Sequence, residues 1–400
     1  MTAKTNNGPW IEHIPGNMVW SNAILVTKGM APYGAVALGE IDQVCEKLRA
    51  RQTDPQAWWE EWSAMAARLH QRADAAEAAG HRLSAGNYYL RAGMYYFTAE
   101  RFIQPGPDKR EMGRVAIDCQ TKGILRRYPN VERVEVPFAA DEKVKSLPAF
   151  FMKAQNTTGT TAARRPTIVV FNGMDNCKEM SVLFAGLEFA TRGWNTLAID
   201  GPGQGESLRL RELYARHDYE VAGTPAYDYV AARADVDAAR VFVMGYSFGG
   251  YYASRVAAFE KRYRGGIAMS ALHWDLHGWQ RDIKRRQDAD PKGTPQSAFH
   301  FRWIMGCMDD PDGANTALDK AKKFSLAEVA GKITCPFIIV HAADDTVVPV
   351  ANAHKLHEAV AAKDKHLKIL NAEDGGHYHA QADNRQVGID YIADWIEDRL

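Results

Sequence analysis

The run Val241-Phe242-Val243-Met244-Gly245-Tyr246-Ser247-Phe248-Gly249-Gly250 puts a serine where it could act as a nucleophile. A short apolar run leads into G-x-S-x-G, and a helical stretch, Tyr251–Phe259, comes after it. That is the setting of a strand-to-helix elbow that lifts a serine Oγ above a sheet. The glycines let strand and helix pack closely around the strained turn. The Phe248 N–H would then face a developing oxyanion.

A serine hydroxyl is a weak nucleophile and needs a base, which in turn needs an acid to orient it. The acid is expected after a later strand, and Phe337–Val340 leads to Asp344 and Asp345. Between those two, Asp345 is preferred and Asp344 is second. The base is expected after the last strand. Leu367–Leu370 leads to Asn371-Ala372-Glu373-Asp374-Gly375-Gly376-His377-Tyr378-His379. Two glycines give that loop freedom to return an imidazole to the serine. His377, directly after them, is the expected base, with His379 the alternative. A second oxyanion donor is expected after the strand Thr167–Phe171, in the segment Asn172-Gly173-Met174-Asp175. It is the backbone N–H of Met174.

Elements must hold these groups together. Short, continuously apolar runs at 167–171, 196–199, 241–244, 266–269, 337–340 and 367–370 read as strands buried on both faces. Helical segments separate most of them, which predicts a doubly wound, mostly parallel α/β core. Val131–Pro137 and Leu147–Ala154 flank a charged turn and read as an antiparallel hairpin. Ahead of residue 130 the pattern is helical. Trp58, Trp62, Met65, Leu69 and Ala73 form one stripe, and Tyr88, Ala92, Tyr95 and Ala99 another. Two more helices are expected around 41–51 and 109–124. The division is therefore a helical domain over 1–129, core over 130–271, a cap or lid insertion over 272–332, and core again over 333–400. Within the cap, helices are expected at 296–307 and 314–324. Asp275 and Trp274 lie just past a strand end and could face a substrate pocket, although a helix N-cap explains Asp275 equally well. Trp279, Phe299, Phe301 and Trp303 either line that pocket or pack the cap on the core. The run Asp200-Gly201-Pro202-Gly203-Gln204-Gly205 lacks the lysine of a P-loop and reads as a structural turn.

With Gly245-x-Ser247-x-Gly249, Asp345, His377 and the Asp200-Gly-Pro-Gly-Gln-Gly run in place, residues 130–400 resemble an α/β-hydrolase. The Asp345-x-x-Val348-Pro349 phrase matches the acid loop of that superfamily, and Asn172-Gly173 stands where many relatives have His-Gly. The helical phrases around Trp58, Trp62 and Tyr89–Glu100, with Phe171-Asn-Gly-Met-Asp-x-x-Lys178-Glu179, resemble one subgroup. It includes 2,6-dihydroxypseudooxynicotine hydrolase and fungal polyketide-shortening hydrolases. That resemblance implies a cofactor-independent serine hydrolase cleaving a C–C bond next to a carbonyl in an aromatic ketone or β-diketone. It also implies an N-terminal domain that helps close the site and assists dimerisation. The bacterial relative uses an extra glutamate near its site; Asp275 is the nearest acidic counterpart here. A carboxylic-ester or lactone hydrolase with the same triad is the alternative. A peptidase is disfavoured, because no peptide-recruiting propeller is recognisable. A non-catalytic binder on a hydrolase scaffold would carry a damaged triad, whereas all three residue types are present.

Bulk properties set limits. Lys+Arg and Asp+Glu both number 49, so the net charge is zero and the basic surplus of a nucleic-acid binder is missing. The five cysteines are scattered, without metal-ligand spacing, which points to a reducing compartment. No metal or cofactor is expected. The segment MTAKTNNGPW has no apolar stretch of a secretory signal, and nothing approaches the ~20 apolar residues of a membrane span. A cytoplasmic enzyme acting on a small aromatic molecule, with no membrane or nucleic-acid partner, is the expectation.

Overall fold

The computed structural model describes residues 11–155, 163–174, 176–270, 274–289 and 298–400. The segment MTAKTNNGPW, Asp175 and parts of the expected cap, including the start of its 296–307 helix, lie outside these residues.

The chain divides between Tyr128 and Pro129 into two compact units. The first is helical: α1 Met18–Lys28, α2 Leu38–Arg49, α3 Ala57–Ala78, α4 Arg82–Ala99 and α5 Pro107–Arg127. The stripe on α3 is buried as its spacing requires, with Trp58, Trp62, Met65, Leu69 and Ala73 all facing inward. On α4 Ala92, Tyr95 and Ala99 are buried as expected, but Tyr88 is only partly buried and Tyr89 is the tyrosine that faces inward. Gly93 lets α5 come close: a Cβ there would lie 2.6 Å from the backbone nitrogen of Gln120. Helix α1 was not foreseen. The Asn17 side chain caps it by accepting from the Trp20 N–H at 3.0 Å.

The second unit is built on one eight-stranded sheet: β1 Val131–Pro137, β2 Ser146–Met152, β3 Arg165–Phe171, β4 Asn195–Ile199, β5 Val236–Tyr246, β6 Gly265–Met269, β7 Phe337–Ala342 and β8 Lys365–Leu370. Their order across the sheet is β1-β2-β4-β3-β5-β6-β7-β8. The hairpin β1–β2 is antiparallel and joins β4 antiparallel; every pairing from β4 to β8 is parallel. The central strands β3 to β7 are buried along their whole length, which is why they read as unbroken apolar runs. An exception is the start of β5, where Asp237–Arg240 reach the surface.

The strand order reverses between β3 and β5. Chain segments leaving those two strands therefore diverge and open a crevice at the carboxyl end of the sheet. Phe171 at the end of β3 pairs in register with Gly245 near the end of β5, so the turns leaving the two strands begin side by side.

After β6 the described chain forms helices Leu276–Ala289, His300–Ile304 and Gly313–Ala321. The first of these was not foreseen, and the second is shorter than its expected span. Phe299, Trp303, Ile304 and Phe324 are buried in the same apolar cluster as Phe248, Tyr251 and Tyr252 beside the elbow. The Phe324 ring lies 5.6 Å from that of Phe248 and 5.5 Å from that of Tyr251.

Two glycines make the elbow possible. A Cβ on Gly245 would fall 1.8 Å from the carbonyl oxygen of Gly249, and one on Gly249 would fall 2.3 Å from that of Phe171. The obstacle is backbone in both cases, so it cannot swing aside. Gly249→Ala is accordingly expected to cost at least about 3 kcal/mol, at the upper end of overpacking penalties. Urea unfolding of the purified variant measures it, and a loss below about 1 kcal/mol, the lower end of those penalties, would show that the elbow gives way.

Candidate active site

Ser247 stands between β5 and the helix Phe248–Phe259 with φ 55° and ψ −123°. A non-glycine residue rarely occupies this region, and such strain collects at functional sites. Phe248 is the first residue of that helix, and the N–H groups of a helix's first turn lack acceptors within the helix.

His379 Nε2 lies 2.9 Å from Ser247 Oγ, and His379 Nδ1 lies 2.7 Å from Asp345 Oδ2. The network assigns the tautomer: Nδ1–H donates to the carboxylate, and Nε2 accepts from the serine hydroxyl. Asp345 extends from the loop after β7 with its side chain fully buried. Its other oxygen, Oδ1, accepts the N–H groups of Val347 (2.9 Å) and Val348 (2.7 Å). Burial pushes this carboxyl up, but the His379 imidazole, its hydrogen bond and the Val348 N–H outweigh burial and hold it below the usual aspartate value. It therefore stays ionised at neutral pH.

The expected base needs correction. His377 is not at the serine; His379, two residues on, is. Asp383 provides the reason. Its Oδ2 accepts the His377 N–H and its Oδ1 the Tyr378 N–H, both at 3.2 Å. The His377 carbonyl accepts the Asp344 N–H at 3.0 Å, and the His377 Nδ1 lies 3.3 Å from Asp383. That clasp holds the first turn after Gly375-Gly376 away from the crevice. The chain then turns back through Ala380 and Gln381, both at positive φ. Ser270, after β6, pins this turn: its Oγ accepts the Ala380 N–H at 3.1 Å. His379 is thus the residue at the apex facing Ser247. Histidine spacing alone does not separate two histidines two positions apart; the signal lies in Asp383, within the same loop, and in Ser270, which acts through a tertiary contact.

The other expected residues are dispersed around this centre. Asp344 is exposed and lies 4.0 Å from the far nitrogen of His377. Asp275 is exposed and accepts the Gly278 N–H at 3.0 Å, so it caps the helix beginning at Leu276. Trp274 is partly buried against the core, and its carbonyl accepts from Ser325 Oγ at 3.1 Å. Met174 packs against the same core cluster, on the loop after β3. A Cβ on neighbouring Gly173 would lie 3.1 Å from the Ser247 Cβ, so this loop rests on the nucleophile.

Two groups were missed altogether. His341, buried in β7, donates from Nε2 to the Val348 carbonyl at 3.1 Å and lies 3.6 Å from Asp345 Oδ2. Burial lowers its pKa, against the pull of Asp345, and keeps it neutral beneath the acid. Beneath Asn172 lies a buried ionic cluster. Lys178 Nζ contacts Glu179 Oε1 at 2.6 Å, Glu206 Oε2 at 2.8 Å and Asp200 Oδ2 at 3.3 Å. Burial would discharge this lysine, but the three carboxylates outweigh burial and keep it protonated. Burial raises Asp200 against the pull of Lys178, while both its oxygens accept from N–H donors, as a carboxylate does.

A mostly parallel sheet with a serine at the elbow after β5 and helices packed around it defines an α/β-hydrolase. Residues 189–400 match the Prolyl oligopeptidase family, and the chain belongs to it. Hydrolase LUC6 of Fusarium sp is 28% identical over 387 residues, covering 88% of this chain and 90% of that protein. The 20-hydroxy-prefusarin hydrolase FUS2 of Gibberella moniliformis is 25% identical, covering 92% and 93%. Among solved structures, 2,6-dihydroxy-pseudo-oxynicotine hydrolase superposes with a TM-score of 0.73 at 22% identity, covering 93% of this chain and 95% of that one. These likenesses span the helical unit as well as the sheet. No helix among the described residues is long and apolar enough to cross a membrane.

Proposed function

We propose that this hydrolase cleaves the carbon–carbon bond beside a carbonyl in an aromatic ketone or β-diketone, using Ser247, His379 and Asp345. The observation that carries the serine mechanism is the unbroken relay at 2.9 and 2.7 Å, ending on a buried carboxylate. The choice of bond is supported by the whole-chain likeness to 2,6-dihydroxy-pseudo-oxynicotine hydrolase and to a fungal hydrolase named for 20-hydroxy-prefusarin.

In this reading His379 Nε2 takes the Ser247 proton as Oγ bonds to the carbonyl carbon. The carbonyl electron pair moves onto oxygen, where the N–H groups of Met174 and Phe248 receive the charge. Loss of one such donor typically lowers kcat by about 10²–10³. Collapse breaks the C–C bond. Its electron pair leaves on an electron-rich aryl or enolate carbon, which takes the proton from His379. Water then attacks the acyl-serine, again through His379, releasing a carboxylic acid and restoring Ser247. The sum is one water consumed per bond cleaved, and no step requires a cofactor.

The test is a substrate panel: aryl 1,3-diketones and acyl-dihydroxyarenes, p-nitrophenyl and aryl esters, and peptidyl anilides. The expected result is C–C cleavage well above ester turnover, with peptides untouched. Ester turnover alone would move the protein to the esterases, and anilide turnover alone to the peptidases of its family.

A further inference from the structure

Asn172 is wholly buried at the point where β3 gives way to the loop carrying Met174, and both ends of its amide are in use. Its Nδ2 donates to Asp200 Oδ1 at 2.6 Å and to the Ile199 carbonyl at 3.1 Å. Its Oδ1 accepts from Ser181 Oγ, and its carbonyl accepts from Gln204 Nε2. Ser181 Oγ also lies 3.0 Å from the Tyr246 hydroxyl. A hydroxyl has one proton, and Ser181 gives its proton to Asn172, so Tyr246 must be the donor to Ser181. A directed chain results: Tyr246 to Ser181 to Asn172 to Asp200. Its first member directly precedes the nucleophile, its third directly precedes Gly173-Met174, and it ends on a buried negative charge. That charge is itself fixed, because Asp200 also accepts the N–H groups of Lys178 (2.7 Å) and Glu206 (2.9 Å) and faces Lys178 Nζ. Chains aligned in this way strengthen one another in a low-dielectric interior.

The backbone around this chain leaves little slack. A Cβ on Gly249 would meet the Asn172 carbonyl oxygen at 2.6 Å, and one on Gly173 would meet Ser247. A shift of Asn172 therefore displaces the peptide next to the serine.

We propose that Asn172 is a positioning residue: locked by Asp200, Ser181 and Gln204, it holds the Met174 N–H at the oxyanion position relative to Ser247. The glycine-rich turn Asp200–Gly205 thereby serves the site from below, through Asp200 and Gln204. The inference rests on the serine-hydrolase reading above, and it specifies how that reading's oxyanion hole is held.

The test is the second-order rate of phosphonylation of the full chain by a fluorophosphonate probe. That reaction needs the serine, its base and the oxyanion donors, and it needs no knowledge of the substrate. Asn172→Ala is expected to slow labelling about 100-fold, the effect of losing one aligned donor. Asn172→Asp, which sets a second carboxylate against Asp200, is expected to slow it at least as much. Ser181→Ala keeps the Asp200 contact and is expected to lose about tenfold, roughly the worth of one hydrogen bond in the chain; it serves if the Asn172 variants do not fold. On any ketone or ester turned over, the loss must fall on kcat with KM nearly unchanged, which a general loosening would not produce. Folded Asn172→Ala and Ser181→Ala proteins that label within twofold of the parent would overturn the inference and leave the triad standing. A parent chain that is not labelled at all, or a Ser247→Ala variant that still is, would overturn the triad and this inference with it.

Discussion

Ser247→Ala will lower kcat by about 10⁴–10⁶ on any substrate the enzyme turns over, while the variant stays folded and still binds. The size of the effect comes from the arrangement. The hydroxyl is the group aligned with His379 Nε2, and its removal leaves no atom to carry the acyl group. The fold should survive because the strain sits in the backbone at φ 55°, which alanine inherits, and the close packing is between glycines on either side. Steady-state kinetics beside a thermal melt measures both halves of the expectation. Residual activity within tenfold of the parent would mean that chemistry at this elbow does not pass through Ser247.

His379→Ala should be nearly as damaging as the serine change, and His377→Ala should be close to silent. Groups that act as a unit are not additive, so Ser247→Ala with His379→Ala should be no worse than Ser247→Ala alone. The half-buried His377 ring lies 3.3 Å from Asp383, but the hydrogen bonds His377 gives the loop are made by its backbone N–H and carbonyl. A side-chain change leaves those in place, and a loss within about threefold is expected, as for substitutions away from critical contacts. The same kinetics run on both variants decides which histidine is the base. The reverse order of effects would mean that the loop rearranges when substrate binds and that the apex at His379 is a resting arrangement.

Asp345 and Ser247 were legible because each sits in a phrase whose backbone consequences are local. Gly-x-Ser-x-Gly after an apolar strand dictates a tight turn, since only glycine at 245 and 249 avoids a backbone collision. Asp345 stands two and three residues ahead of the N–H groups its Oδ1 accepts, a contact written within four residues. The apolar runs located the strands of the core to within a few residues because central parallel strands are buried on both faces and carry no polar interruption. The helices Met18–Lys28 and Leu276–Ala289 were harder to see. The first is short and apolar on most sides, so it shows no clean stripe, and the second is largely polar, with Leu276 and Gln280 its buried residues.

Local spacing was enough to put a serine, an acid and an imidazole-bearing loop after three strands of a parallel sheet, since burial and steric demands within a few residues decide those features. Which imidazole arrives is settled by one contact within the loop and one from a distant segment. The choice depends on Asp383 holding back His377 and Tyr378, and on Ser270, 110 residues away, fixing the turn after His379. Asn172 and Asp200, apart in the chain by 28 residues, likewise meet beneath the nucleophile. Hydrogen bonds between distant segments form only once the sheet has set the register of their strands, and no local spacing encodes them.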